Sequence, residues 1–318
     1  MNRSACLIFN PVAGQGEPEQ ELAKIKEILS PEIDLDIQFT TPEIDADQLA
    51  QAAVERGVKI IIASGGDGTL SAAAAAVVGK DVSFGIISRG TANAFATALE
   101  IPDSIESACE TILQGATRSV DAAFCNGFPM VLLTGIGFEA ETVERADRES
   151  KNRLGIMAYV LAGLQELGNL ETFDVEIETE DKIIKTRAAA VTVANAAPPT
   201  SILAQGPAGI VVDDGLLDLT ILAPASKTAA IASAFHLFQT ASAGNATERD
   251  DIGYLRAKQF KITTNPPQKF VVDGEVLGNT PLEINCIPSG LQIFVPLVEE
   301  EELVEKLEGL PNLVVEMK

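Results

Sequence analysis

Short apolar runs rich in Ile, Val and Phe at 5–9, 33–39, 58–63 and 83–87 alternate with stretches of helical spacing at 19–29, 47–56 and 69–78. Continuous apolar runs bounded by turn residues predict buried strands, and apolar positions at helical spacing predict helices packed on them. Strand–helix alternation of this kind gives a mostly parallel sheet covered on both faces, whose ligands gather at the carboxyl ends of the strands.

Past Asp121 the pattern changes. Strand-like runs follow one another at 130–136, 172–178, 183–194, 216–222, 257–263, 269–272 and 291–296, and only 152–167 and 226–239 have helical spacing. Strands at short intervals predict an antiparallel sandwich or barrel. The expected organisation is a Rossmann-like α/β domain over 1–125, an antiparallel β-sandwich over 126–298 with the boundary near 124–128, and a tail over 299–318. In the tail, Leu303, Val304 and Leu307 lie at helical spacing, as for a segment that packs back, on the N-terminal domain. A length of 318 residues agrees with two domains, since one domain commonly takes about 100–200.

Charge narrows the partners. The chain carries 23 Lys and Arg against 46 Asp and Glu, a net charge of −23, and such a field repels phosphate backbones and anionic headgroups. No nucleic-acid partner is expected, and contact with a membrane is at most transient or local. The apolar stretches 70–78 and 223–235 are too short or broken by Lys227 to span a bilayer, which takes about 20 residues. The run 5–9 is shorter than a secretory core of about 7–15. A cytoplasmic protein is expected, and the sequence leaves a homodimer open. Cys6, Cys109, Cys125 and Cys286 form no Cys-x-x-Cys pair, so they read as buried thiols rather than a metal or redox motif.

The chemistry concentrates where strands end. The run 60–63 empties into Ser64-Gly65-Gly66-Asp67-Gly68-Thr69 and then an alanine-rich helix. Glycines let a backbone approach phosphate closely, and a helix start offers free N–H groups. A carboxylate beside phosphates, Asp67, is useful for holding Mg²⁺ or handling a proton, and Thr69 can cap the helix or touch phosphate. Asn10-Pro11 with Gly14 and Gly16, and Arg89-Gly90-Thr91-Ala92-Asn93, form two more polar turns at strand ends. Three such turns on consecutive strand ends predict one cleft, and Arg89 adds a positive charge that either meets phosphate or stands in solvent. Neither a P-loop nor a Gly-x-Gly-x-x-Gly fingerprint is present. The single histidine, His236, reads as a satisfied residue of an apolar helix, so acid–base work falls to carboxylates. Val272-Asp273-Gly274-Glu275 and Val211-Val212-Asp213-Asp214-Gly215-Leu216 read by themselves as acidic hairpin turns.

These pieces, in this order along nearly the whole chain, resemble the diacylglycerol kinase catalytic-domain family, most closely its soluble bacterial YegS-type lipid kinases. The resemblance implies an N-terminal domain that binds Mg-ATP, a β-sandwich that contributes an acid, and an active site between them. It places Asn10, Thr40, Gly65, Gly66, Asp67, Gly68, Thr69 and Thr91 at the nucleotide. It makes Glu275 the general base toward a lipid hydroxyl, with Asp67 and Asp273 positioning magnesium and phosphate, and it implies a structural Mg²⁺ held by the Asp214 side chain and the carbonyls of Val211 and Leu216. The chain departs from the family pattern at Ala94, where an acid is usual, at Ser71-Ala72-Ala73 in place of Asn-Glu-Val, and at Ser88 in place of proline. Two alternatives stay open: an NAD kinase, which shares the Gly-Gly-Asp-Gly-Thr turn, and a nucleotide- or lipid-binding protein that has lost catalysis.

Overall fold

The computed structural model describes residues 3–137, 172–198, 201, 204, 209–224, 236 and 249–297. The expected helix at 152–167 and the tail from 299 lie outside the described residues, as does all but His236 of the expected helix at 226–239.

Strands β1 (Arg3–Phe9), β2 (Ile33–Phe39), β3 (Ile60–Gly65) and β4 (Ser83–Ser88) pair in parallel in the order β2-β1-β3-β4. A strand's side chains alternate between faces, so β1 sends Ala5, Leu7 and Phe9 one way and Cys6 and Ile8 the other. The first set packs with Ile25 and Leu29 of α1 (Pro18–Leu29) and with Ala108, Cys109 and Ile112 of α5 (Ile105–Gln114). The second set lies in the cluster that holds Ala50 and Ala53 of α2 (Ala46–Glu55), Leu70 and Ala73 of α3 (Asp67–Val77) and Phe95 of α4 (Ala94–Ala98). Two of these helices carry strong start signals. Asp45 and Gln48 form a capping box on α2, and Ser104 accepts the Ser107 N–H at the head of α5. Helix α5 was not among the sequence expectations, although Ser104 and the left-handed Gly115 that ends it are ordinary helix punctuation.

The second half is an antiparallel sandwich, as expected. One sheet runs β12-β11-β10-β7-β14-β15, built from β7 (Leu133–Gly137), β10 (Ala190–Ala194), β11 (Leu217–Leu222), β12 (Ile252–Ala257), β14 (Lys269–Val272) and β15 (Glu275–Asn279). The other holds β8 (Phe173–Glu178), β9 (Ile183–Ala188) and β13 (Gln259–Asn265), joined by β16 (Leu282–Phe294), β5 (Thr117–Cys125) and β6 (Phe128–Met130). Phe260, Ile177 and Ile284 share one core cluster with Val191, Leu219 and Phe270 of the first sheet. The expected single strand at 183–194 breaks at Ala189, whose N–H donates to the Leu222 carbonyl. Its halves, β9 and β10, therefore belong to opposite sheets.

The long strand β16 welds the two halves. It lies antiparallel to β5 from Ile284↔Cys125 to Phe294↔Thr117, pairs with β13 near its start, and runs parallel to β4 near its end. The parallel sheet and one layer of the sandwich are thus a single ten-stranded sheet. Where β16 crosses from one to the other its register breaks, between Ile287 and Leu291. Opposite that break sits Asp121, only 2% exposed. Its carboxylate accepts the Ser289 N–H at 2.8 Å and the Gly215 N–H at 2.6 Å, while its own N–H donates to the Val212 carbonyl. One buried acid therefore ties the bulge of the shared strand to the 212–215 turn. Asp121→Ala strands two N–H groups with no partner, and a loss of about 2–4 kcal/mol in unfolding free energy is expected by urea titration; an unchanged midpoint would show that the tie carries no weight.

Candidate active site

Because β1, β2, β3 and β4 are parallel, the turns that follow them emerge on one edge. Glycine lets them touch. A Cβ on Gly90 would lie 2.9 Å from the Gly66 Cα, one on Gly14 would lie 3.0 Å from the Arg89 carbonyl oxygen, and one on Gly65 would collide with Thr69 at 2.6 Å. The Asn10 side-chain amide donates to the Thr69 hydroxyl at 2.8 Å, linking the first turn to α3. The Thr40 N–H donates to the Phe9 carbonyl, so the end of β2 joins the same rim. At the head of α3, Gly66 supplies no side-chain cap, which leaves first-turn N–H groups for an incoming anion. Thr91 is exposed on the third turn. Thus Asn10, Thr40, Gly65, Gly66, Asp67, Gly68, Thr69 and Thr91 belong to one set of adjoining turns.

Arg89 departs from expectation. Its side chain is 1% exposed and meets the protein rather than solvent. The guanidinium donates to the Asn10 carbonyl at 3.0 Å, the Ala13 carbonyl at 2.9 Å and the Glu21 carboxylate at 2.7 Å, and lies 4.1 Å from the centre of the Phe9 ring. Its backbone N–H donates to the Gly65 carbonyl at 2.7 Å. A guanidinium committed in this way is not free to bind phosphate. It works beneath the cleft, fastening the first and third turns to the end of β3. No spacing in the sequence links Arg89 to Glu21, so only the folded contact reveals the role.

Asp67 is likewise partly committed. Its carboxylate accepts the Phe95 N–H at 3.2 Å and so caps the short α4 from a neighbouring turn. Burial pushes this carboxyl up from its ordinary value, opposed by the N–H groups of Phe95, Ala94 and Asn93. That leaves a carboxylate among backbone donors, at the lip where phosphates would sit.

The sandwich side supplies the other acids. The β14–β15 hairpin turns through Asp273 and Gly274, both with positive φ. The Asp273 carboxylate accepts N–H groups from Val131 at 2.8 Å and from Leu132 and Leu133 at 2.9 Å each. Burial pushes this carboxyl up to about 6, with the nearby Glu275 adding to the rise and the three N–H donors working against it. Val131 and Leu132 belong to the core cluster that contains Leu70, Ala73 and Phe95. Asp273 therefore moors the hairpin to a segment buried with α3 and α4, and Glu275, exposed at the head of β15, projects from that mooring.

At the position where the resemblance implies a structural cation, between Val211 and Leu216, the Asp214 carboxylate already has protein partners. Asp214 accepts the Leu216 N–H through one oxygen at 3.0 Å and the Arg256 guanidinium through the other at 2.5 Å. Among the described residues no group of three or more His, Cys, Asp or Glu side chains is arranged to hold a metal ion, and none of the helices is long and apolar enough to cross a membrane.

Comparison with known proteins agrees with this two-part layout. Residues 4–125 match the diacylglycerol kinase catalytic domain, and residues 133–295 match the YegS C-terminal NAD kinase beta sandwich-like domain. The family matches and the relatives below define a lipid kinase, a phosphotransferase with an alcohol acceptor. Within that class the chain belongs to the diacylglycerol kinase family of YegS type. It is 48% identical to the Synechocystis protein sll0036 over 92% of this chain and 70% of that one. It is 29% identical to a Bacillus subtilis diacylglycerol kinase over 95% of this chain and 99% of that one. A crystal structure of a diacylglycerol kinase from Bacillus anthracis superposes with a TM-score of 0.73 at 25% identity, covering 93% of this chain and 97% of that one.

Two expectations follow from the geometry. Arg89→Met leaves two carbonyls and the Glu21 carboxylate without their donor and should lower stability by about 3 kcal/mol in urea titration, with weakened nucleotide binding in the protein that remains folded. Asp273→Asn puts an amide among three N–H donors and should cut turnover about tenfold or more through loss of positioning; full activity in this variant would remove the mooring from the account.

Proposed function

We propose that this chain is an ATP- and Mg²⁺-dependent kinase that transfers the γ-phosphate to the hydroxyl of a diacylglycerol-like lipid, working in the cytoplasm where ATP is available. One observation carries the reading: the strand-end turns are locked into a glycine-lined rim with an uncapped helix start, and an acidic hairpin is moored to the core beneath that same helix.

In this reading the N–H groups of Gly66, Gly68 and Thr69 grip the phosphates, with Asn10, Thr40 and Thr91 along the rim. Asp67 is the residue suited to hold magnesium, and a bound Mg²⁺ would neutralise charge on the phosphate oxygens. Glu275 takes the proton from the lipid hydroxyl as its oxygen attacks the γ-phosphorus in line, and ADP leaves. Because phosphoryl transfer needs little covalent help, alignment and charge neutralisation carry most of the catalysis. Asp273 serves that alignment by holding Glu275. The alanines at 73 and 94 supply no acid, so the proton transfer rests on Glu275.

The test is ADP release with a panel of lipid alcohols and, in parallel, NAD as acceptor. Phosphorylation of the lipid, with Glu275→Gln reducing turnover by about 100-fold or more while ATP binding persists, is the expected result. Transfer to NAD alone would assign the chain to the other kinase chemistry, and ATP binding without transfer to any acceptor would make it a binding protein.

A further inference from the structure

The 211–216 turn leads into β11 of one sheet and is tied to β5 of the other through Asp121 and Arg118, and it carries the positions at which the family resemblance implies a structural magnesium. A divalent cation of this kind needs an array of oxygen ligands, with carboxylate charge to offset its own. In this chain Arg256 of β12 occupies the carboxylate instead. Its guanidinium lies 2.5 Å from one Asp214 oxygen and 3.0 Å from an oxygen of Asp218, which stands opposite it on β11. The Asp218 side chain is 1% exposed, and the guanidinium is the positive charge set against it, by proximity rather than by a directed hydrogen bond between Nε and Oδ1. The adjoining Asp213 is paired in the same manner, with Arg118 of β5 at 2.7 Å. Both acids of the turn thus already have a positive partner, one from each sheet.

We propose that the Arg256 guanidinium takes the place of a structural divalent cation at this turn, so that the chain holds its inter-sheet joint without magnesium. This inference does not rest on the lipid kinase reading, because its test involves neither ATP nor lipid.

The measurement is the thermal midpoint of the nucleotide-free protein with magnesium chloride and with EDTA, for wild type, Asp214→Asn and Arg256→Met. The expected outcome is a magnesium-induced shift in wild type equal to that in Asp214→Asn, and a larger shift in Arg256→Met, whose emptied acids can then accept the ion. A wild-type shift that exceeds the Asp214→Asn shift would overturn the proposal, as would an Arg256→Met protein no more responsive to magnesium than wild type. The wild-type and Asp214→Asn arms decide the matter by themselves if Arg256→Met does not fold.

Discussion

Backbone groups at the ends and breaks of strands have no ladder partner, and leaving them buried and unpaired is costly. In this protein charged side chains meet that demand at each joint. Arg89 satisfies carbonyls of the first turn from the third, Asp121 satisfies N–H groups across the two sheets, and Asp273 satisfies three successive N–H groups behind the hairpin. The cleft has its shape because these contacts permit few alternatives: a fixed set of donors must face a fixed set of acceptors.

The same constraint separates structural charges from those left for chemistry. Arg89, Asp121, Asp214 and Asp273 lie near the groove or the joint between the sheets, yet their polar atoms are engaged by the protein. Glu275 is exposed on an edge strand, and Asp67 stands at an uncapped helix start with backbone donors around it. A surface of net charge −23 offers many carboxylates, but the fold brings few to a glycine-lined rim.

Continuity of the sheet bears on how the halves cooperate. Since β5 and β16 run through both, the nucleotide side and the acid-bearing side share a pair of strands rather than a linker. Large independent movement would have to bend that pair, and the register break at 287–291 is the place where the ladder is already interrupted. The turn at 211–216 is fastened beside the same break through Asp121.

The sequence by itself determined the alternation of strands and helices in the first half, the run of strands in the second, and the three polar turns, because apolar periodicity and glycine punctuation are local properties. It also named the acids of the two turns. It did not reveal β5, whose Arg118, Ser119 and Asp121 interrupt the apolar signal, nor the division of 183–194 between two sheets. Only tertiary structure decided that Arg89 lies beneath the rim instead of facing phosphate, that Asp273 moors a hairpin, and that Arg256 occupies Asp214. Each of those roles depends on a partner distant in sequence, and local spacing carries no information about which charges the folded chain brings together.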